Sequence, residues 1–117
     1  MPPKAHACAW HKLTACDSER KLIVGPVVPD GELWVLTSIH AKNNSGPTPE
    51  INVAVYDGHE WICLASLSDA WQYDGVDWSG SLVMAPGWGL GTWFRDAELG
   101  DVLQSDATYH VSYELMS

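Results

Sequence analysis

The chain has 117 residues, enough for one domain with a buried core and too few for two. Its 15 Asp and Glu stand against 6 Lys and Arg, unevenly spread: residues 1–22 hold four bases and two acids, the remainder two bases and thirteen acids. An acidic body of this kind lacks the clustered Lys and Arg that phosphate neutralisation needs, which argues against nucleic acid as partner, and no run approaches the ~20 apolar residues of a membrane-spanning helix.

Taken in chain order, residues 1–19 read as an extended N-terminal arm, because Met1–Ala7 has two prolines and no periodicity. It also lacks the apolar stretch of a signal peptide, so synthesis in a cytosol is expected. The arm's mild positive charge suits an acidic neighbour such as the body of a sister subunit, with Lys4, His6, Trp10 and Lys12 as candidate docking residues. His6, Cys8, His11 and Cys16 place four soft-metal ligands within eleven residues. Structural zinc sites draw a second ligand pair from a separate segment, and none follows here. In an extended strand His11 would moreover face away from His6 and Cys8. Ordinary strand and arm residues are therefore expected, with no metal and no cofactor. Cys8, Cys16 and Cys63 are too few and too odd in number for a disulfide framework and suit a reducing compartment as free thiols.

Residues 20–117 read as one domain. Arg20–Val28 is a short apolar strand broken at Gly25-Pro26, as at a sheet edge or a bulge. The longest alternating run is Gly31–Asn43, entered through Pro29-Asp30-Gly31 and left through Asn43–Pro47, both rich in turn residues. Alternation assigns Leu33, Val35, Thr37, Ile39 and Ala41 to the core face and Trp34, Leu36, Ser38, His40 and Lys42 to the other. The apolar start of that second face is expected to meet something other than water, a second sheet, a loop or another subunit, and makes Trp34 and Leu36 candidate interface residues. Glu50–Tyr56 alternates with Ile51, Val53 and Val55 inward, and Asp57-Gly58 joins it to Trp61–Leu67 as a hairpin.

Ser68–Ser81 reads as an acidic loop carrying Trp71, Tyr73 and Trp78. Leu82–Ala85 and Leu90–Arg95 are short strands around a Pro86-Gly87 turn. The closing strand puts Tyr109, Val111, Tyr113 and Leu115 on one face and Thr108, His110, Ser112 and Glu114 on the other. No segment sustains a 3.6-residue period; Asp96–Gln104 comes nearest and holds Gly100. About eight short strands predict an all-β fold, an antiparallel β-sandwich or barrel. The lack of an immunoglobulin Cys-Trp-Cys spacing favours a jelly-roll-like sandwich. Its expected core is Leu33, Val35, Ile39, Ile51, Val53, Val55, Val111, Tyr113 and Leu115.

The runs PDGELWVLTSIHAKNN, LVMAPGWGLGTWF and YHVSYELM resemble the small jelly-roll domains of virion proteins of tailed bacteriophages. Trp34–Asn43 and Val111–Leu115 carry the resemblance within residues 20–117, while Trp88 follows Gly87 where the family pattern has an aspartate. The resemblance implies a structural role in the virion: a capsid decoration or cement protein, or a minor component of the tail or its fibres. It further implies synthesis in the host cytoplasm, the major capsid protein or tail proteins as partners, and a homo-oligomer, a trimer by analogy with similar jelly rolls.

Catalytic parts are not framed. Asp74 with Asp77, or Asp96 with Glu98, could be nominated as a glycosidase pair, but 15 acids on a small domain produce such pairs by composition. There is no G-x-S-x-G elbow, P-loop or dinucleotide fingerprint, and Gly87-x-Gly89-x-Gly91 follows Pro86 into a strand, as in a hairpin. The expectation is a protein that is not an enzyme. Seven tryptophans exceed what a sandwich of this size places in its core. Trp71, Trp78 and Trp88, with Tyr73, are then interface anchors between subunits or against a larger assembly. Alternatively, Trp71, Trp78 and Trp88 stack on a glycan beside Asp69, Gln72, Asp74 and Asp77, making the chain a carbohydrate-binding module. The assembly reading is preferred because the resemblance favours it and a net charge of −9 keeps a multi-copy protein soluble before assembly.

Overall fold

The computed structural model describes residues 6–113, in which every regular element is a strand. The strands are β1 (His6–Ala15), β2 (Arg20–Val27), β3 (Glu32–Asn43), β4 (Thr48–Tyr56), β5 (Trp61–Ala70), β6 (Gly75–Met84), β7 (Gly89–Arg95) and β8 (Val102–Tyr113). Antiparallel pairs nest within one another: β4 with β5, β3 with β6, β2 with β7 and β1 with β8. The chain is thus a long hairpin bent at the β4–β5 turn, whose successive pairs fall alternately in two sheets. Pairing of β3 with β8 and of β4 with β7 completes the sheets as β1-β8-β3-β6 and β2-β7-β4-β5. Eight strands so arranged in two packed sheets form a jelly roll.

The local chemistry follows the expected turns. The Asp57 carboxylate accepts from the amides of His59 and Glu60 at 2.8 and 2.9 Å, and Gly58 takes a φ of 95° that a side chain would strain. The amides of Glu60 and His59 hold the Asp57 carboxyl below the usual carboxylate range. β2 is an edge strand whose register shifts between Val24 and Val27, so the missing N–H of Pro26 falls at an irregularity and costs no regular ladder bond. Ile39, Ile51, Val53, Val55 and Val111 are buried between the sheets, as their alternation predicts. Leu115 lies outside the described residues, and so does the side chain of Tyr113.

β3 departs from the expected phase. Leu36 pairs with Tyr109 and Ser38 with Thr108, so Thr37 is an extra residue, a β-bulge. One inserted residue exchanges the two faces. Trp34 and Leu36, expected on an outer face, are 5% and 0% exposed in the core, whereas Leu33 and Val35 are only half-buried. Beyond the bulge Ile39 and Ala41 point inward as expected. The Trp34 ring stacks on Tyr109 at 4.3 Å and 17°, and its indole N–H donates to Glu32 at 3.0 Å. The bulged Thr37 hydroxyl donates to the carbonyl of Thr108 at 2.9 Å.

Residues 6–15, expected within the arm, are instead an edge strand paired with β8 from His6–Val111 to Ala15–Val102. Trp10 is half-buried against the core, and a Cβ on Gly25 would come within 3.2 Å of its ring, so Trp10 closes the open side of the sandwich between β1 and β2. The expected loop at Ser68–Ser81 shrinks to residues 71–74, because β5 runs to Ala70 and β6 begins at Gly75. Asp96–Gln104 is a loop followed by the start of β8.

Candidate functional site

One end of the sandwich gathers the β1–β2, β3–β4, β5–β6 and β7–β8 loops, and hydrogen bonds tie them together. The amide of Cys16 donates to the Asp101 carbonyl at 2.8 Å, and that of Asp96 to the Glu19 carbonyl at 2.7 Å. Asn43, fully buried, is the hub. Its Nδ2 donates to Thr48 Oγ1 at 3.0 Å and to Asp101 Oδ2 at 2.8 Å, while its Oδ1 accepts from the amides of Ser45 and Gly46. The Tyr73 amide donates to the Asn43 carbonyl and Gln72 Nε2 to the Asn44 carbonyl, each at 3.0 Å, which pins the aromatic loop to this hub.

On that fixed base stand Trp71, Tyr73 and Leu99, exposed by 75%, 63% and 75%. Pro47, Pro49, Asp69, Trp71, Asp96 and Glu98 line an open cleft of about 410 Å³ here. Among the described residues the non-glycine residues with φ in the left-handed region are Asp69, Tyr73 and Asp96, all at this end. For a residue as bulky as Tyr73 that conformation costs on the order of 1 kcal/mol, and such strain gathers at functional surfaces. This end of the sandwich is held by hydrogen bonds, carries Asp69, Asp96 and Glu98, and turns large apolar groups to water.

Of the sequence-predicted interface residues, Trp71 and Tyr73 come together here. Trp34 and Leu36 are core. Trp78 lies on β6 and Trp88 in the β6–β7 loop at the opposite end, both half-buried against the core, so they do not form one surface with Trp71. Of the docking arm, Lys4 is outside the described residues, and His6, Trp10 and Lys12 belong to β1. Cys8 packs against the core, His11 faces out toward Asp106, and Cys16 is buried with its thiol directed at the carbonyls of Ser18 and Ala97. No three His, Cys, Asp or Glu converge as metal ligands among the described residues.

Two clusters escaped the sequence reading. On the outer face of the first sheet, strand register lines up His11, Asp106, His40 and Asp77 across β1, β8, β3 and β6. His11 pairs with Asp106, and His40 with Asp77. Burial would raise the Asp106 carboxyl, but hydrogen bonds from Gln104 and His11 and the charges of His11 and His40 hold it below its ordinary value. A carboxyl depressed by folding contributes stability that is present above its unfolded value, about 3.9, and lost as pH falls through the folded one. Urea midpoints of the parent and Asp106→Asn should therefore differ at neutral pH and converge below about pH 4; a gap that widens in acid would reverse the assignment.

On the outer face of the second sheet, Tyr56, Trp61 and Trp93 cluster, with centroids 5.3 Å apart for Tyr56–Trp61 and 6.1 Å for Trp61–Trp93. Arg20, Asn52 and Arg95 join the two tryptophans around a cleft of about 310 Å³. The available signal was Gly91, whose missing side chain leaves room for the Trp61 ring over the sheet.

No protein-family model matches the chain, and no curated protein matches it. The fold has relatives among solved structures. A chain from the acid-stable capsid of Helicobacter pylori bacteriophage KHP30 matches with a TM-score of 0.61 at 8% identity, covering 97% of both chains. A chain of the Bacillus endospore appendages, described as disulfide-linked pili, matches with a TM-score of 0.54 at 9% identity over 97% of this chain and 91% of that one. At such identities the likeness concerns the fold: the chain is an all-β jelly-roll sandwich of the kind found in a bacteriophage capsid.

Proposed function

We propose that the chain is a non-enzymatic structural subunit of a tailed-bacteriophage virion, a capsid decoration or cement protein that works as a homo-oligomer, a trimer by analogy, seated on the major capsid protein. The observation that carries this reading is the match of fold over 97% of both chains to a chain of a phage capsid. The exposed tip supports it, because three large apolar side chains on a loop cluster held by Asn43 suit a contact with another protein. The four edge strands each carry an exposed apolar residue, Leu13, Val24, Ile62 or Val83, which suits further contacts in a particle.

Native mass measurement and co-sedimentation with particles of the phage that carries the protein test this. A defined oligomer that binds the particles is the expected result. Trp71→Ala with Tyr73→Ala should weaken attachment by more than about tenfold, a loss of at least ~1.4 kcal/mol. The melting temperature should barely move, since both side chains are exposed. A protein that stays monomeric and does not sediment with the particles is not a decoration protein. Fractionation of disrupted virions separates a head position from one on the tail or its fibres.

A further inference from the structure

The cleft on the outer face of the second sheet is built unlike the rest of this acidic surface. Arg20 and Arg95 are direct cross-strand partners on β2 and β7, an arrangement in which like charges repel. Arg95 is steadied by Glu50, its Nε 3.1 Å from Oε2, while Arg20 has no carboxylate partner among the described residues. Two of the chain's six basic side chains thus meet at one cleft with a single acid between them, on a protein of net charge −9.

The walls are aromatic. Trp61 and Trp93 stand nearly perpendicular, at 82°, and both are half-buried, so each leaves ring surface toward the cleft. Gly91 makes this possible: a Cβ there would lie 2.5 Å from the Trp61 ring, so only glycine lets the indole settle against the strand. Asn52, opposite Trp93 on β4, also lines the cleft. Its Oδ1 receives only a weak thiol contact from Cys63 at 3.8 Å, and its Nδ2 has no acceptor among the described residues.

We propose that this cleft binds an acidic saccharide, a pyranose bearing a carboxylate of the uronic or sialic acid class. A carboxylate between the guanidiniums relieves their repulsion, and the planar fork of arginine matches its two oxygens. The apolar C–H face of a pyranose packs on an indole, and the free amide of Asn52 donates to a ring hydroxyl. The volume suits one sugar residue, at the small end of ligand sites. A peptide carboxylate is disfavoured because the cleft lies over the face of the sheet. The backbone groups of the central strands β7 and β4 are already paired there, so no strand can be added. Two arginines are also too few for a nucleic-acid backbone.

Isothermal titration of the whole protein with tetragalacturonate, and with neutral cellotetraose, tests the site. The acidic tetrasaccharide should bind at least about tenfold more tightly, and Arg20→Gln should weaken it by a similar factor. Asn52→Ala should weaken both sugars. Arg20 is exposed and is none of the apolar side chains assigned to contacts in a particle, so its substitution should leave the melting temperature and any attachment to particles unchanged. This separates failure of the glycan site from failure of the virion reading. Equal affinity for the two sugars, undiminished binding by Arg20→Gln, or no heat with either sugar overturns the proposal. So does a change in self-association on Arg20→Gln without sugar, which would make the cleft a contact between copies.

Discussion

Leu36→Asp and Ile39→Asp should each unfold the domain, while Val35→Asp leaves it folded. Leu36 and Ile39 have no exposed surface, so a carboxylate at either position is an unpaired charge in an apolar core. That penalty is several kcal/mol, against a total stability of about 5–15 kcal/mol for a domain of this size. Val35 is half-buried on the outer face of the first sheet, with His110 as its cross-strand partner, and a carboxylate there reaches water. Its cost is limited to strand propensity, about 1 kcal/mol. Circular dichroism with thermal melts distinguishes the three variants. The pattern tests the bulge at Thr37 directly: in an unbroken strand Val35 and Ile39 would share a face, and their substitutions would be equally damaging. A folded Leu36→Asp protein beside an unfolded Val35→Asp protein would show that the strand runs without the extra residue.

Asn43→Ala should cost roughly 3 kcal/mol and lower the melting temperature by about 10 °C or more. The side-chain amide is fully buried and uses both donors and both acceptor positions, on Thr48, Asp101, Ser45 and Gly46. Removing it strands the Asp101 carboxylate without its 2.8 Å donor and leaves the amides of Ser45 and Gly46 unsatisfied. Hydrogen exchange at those two amides should rise with the loss. Asn43→Asp keeps the acceptors but sets a second carboxylate against Asp101. It should therefore be at least as unstable at neutral pH and recover partly in acid, as protonation relieves the repulsion. A cost below about 1 kcal/mol for Asn43→Ala would mean that the loop end is held by its backbone bonds alone, and that Asn43 is not the hub.

Most of the chain's strands and turns were legible from local pattern, although β1 read as arm and the first part of β6 as loop. Ile51, Val53 and Val55 announce β4 by alternation, Asp57-Gly58 closes its hairpin with side-chain and φ requirements that few other pairs meet, and Gly25-Pro26 marks an irregular edge. An all-β sandwich follows from those signals because each depends on residues within one or two positions of one another.

The faces of β3 were a different matter. A bulge exists only as a mismatch between one strand and its neighbour, and the neighbour that defines Thr37 as extra, β8, lies far along the chain. Alternation read along β3 alone therefore carried the wrong phase to Trp34 and Leu36. The same reason hid β1, whose partner is β8 at the other end of the sequence, and whose edge position leaves a pattern too weakly apolar to separate from an arm. The candidate sites are the extreme case. Arg20 meets Arg95 across 75 positions, and Asn43 meets Asp101 across 58. Sequence by itself determined most of the strands, their turns and most inward positions, since these rest on local sterics and the period of a pleated strand; tertiary structure alone decided the phase of β3, the place of β1, the start of β6 and both surface clefts, because each is a relation between strands that only long-range pairing brings together.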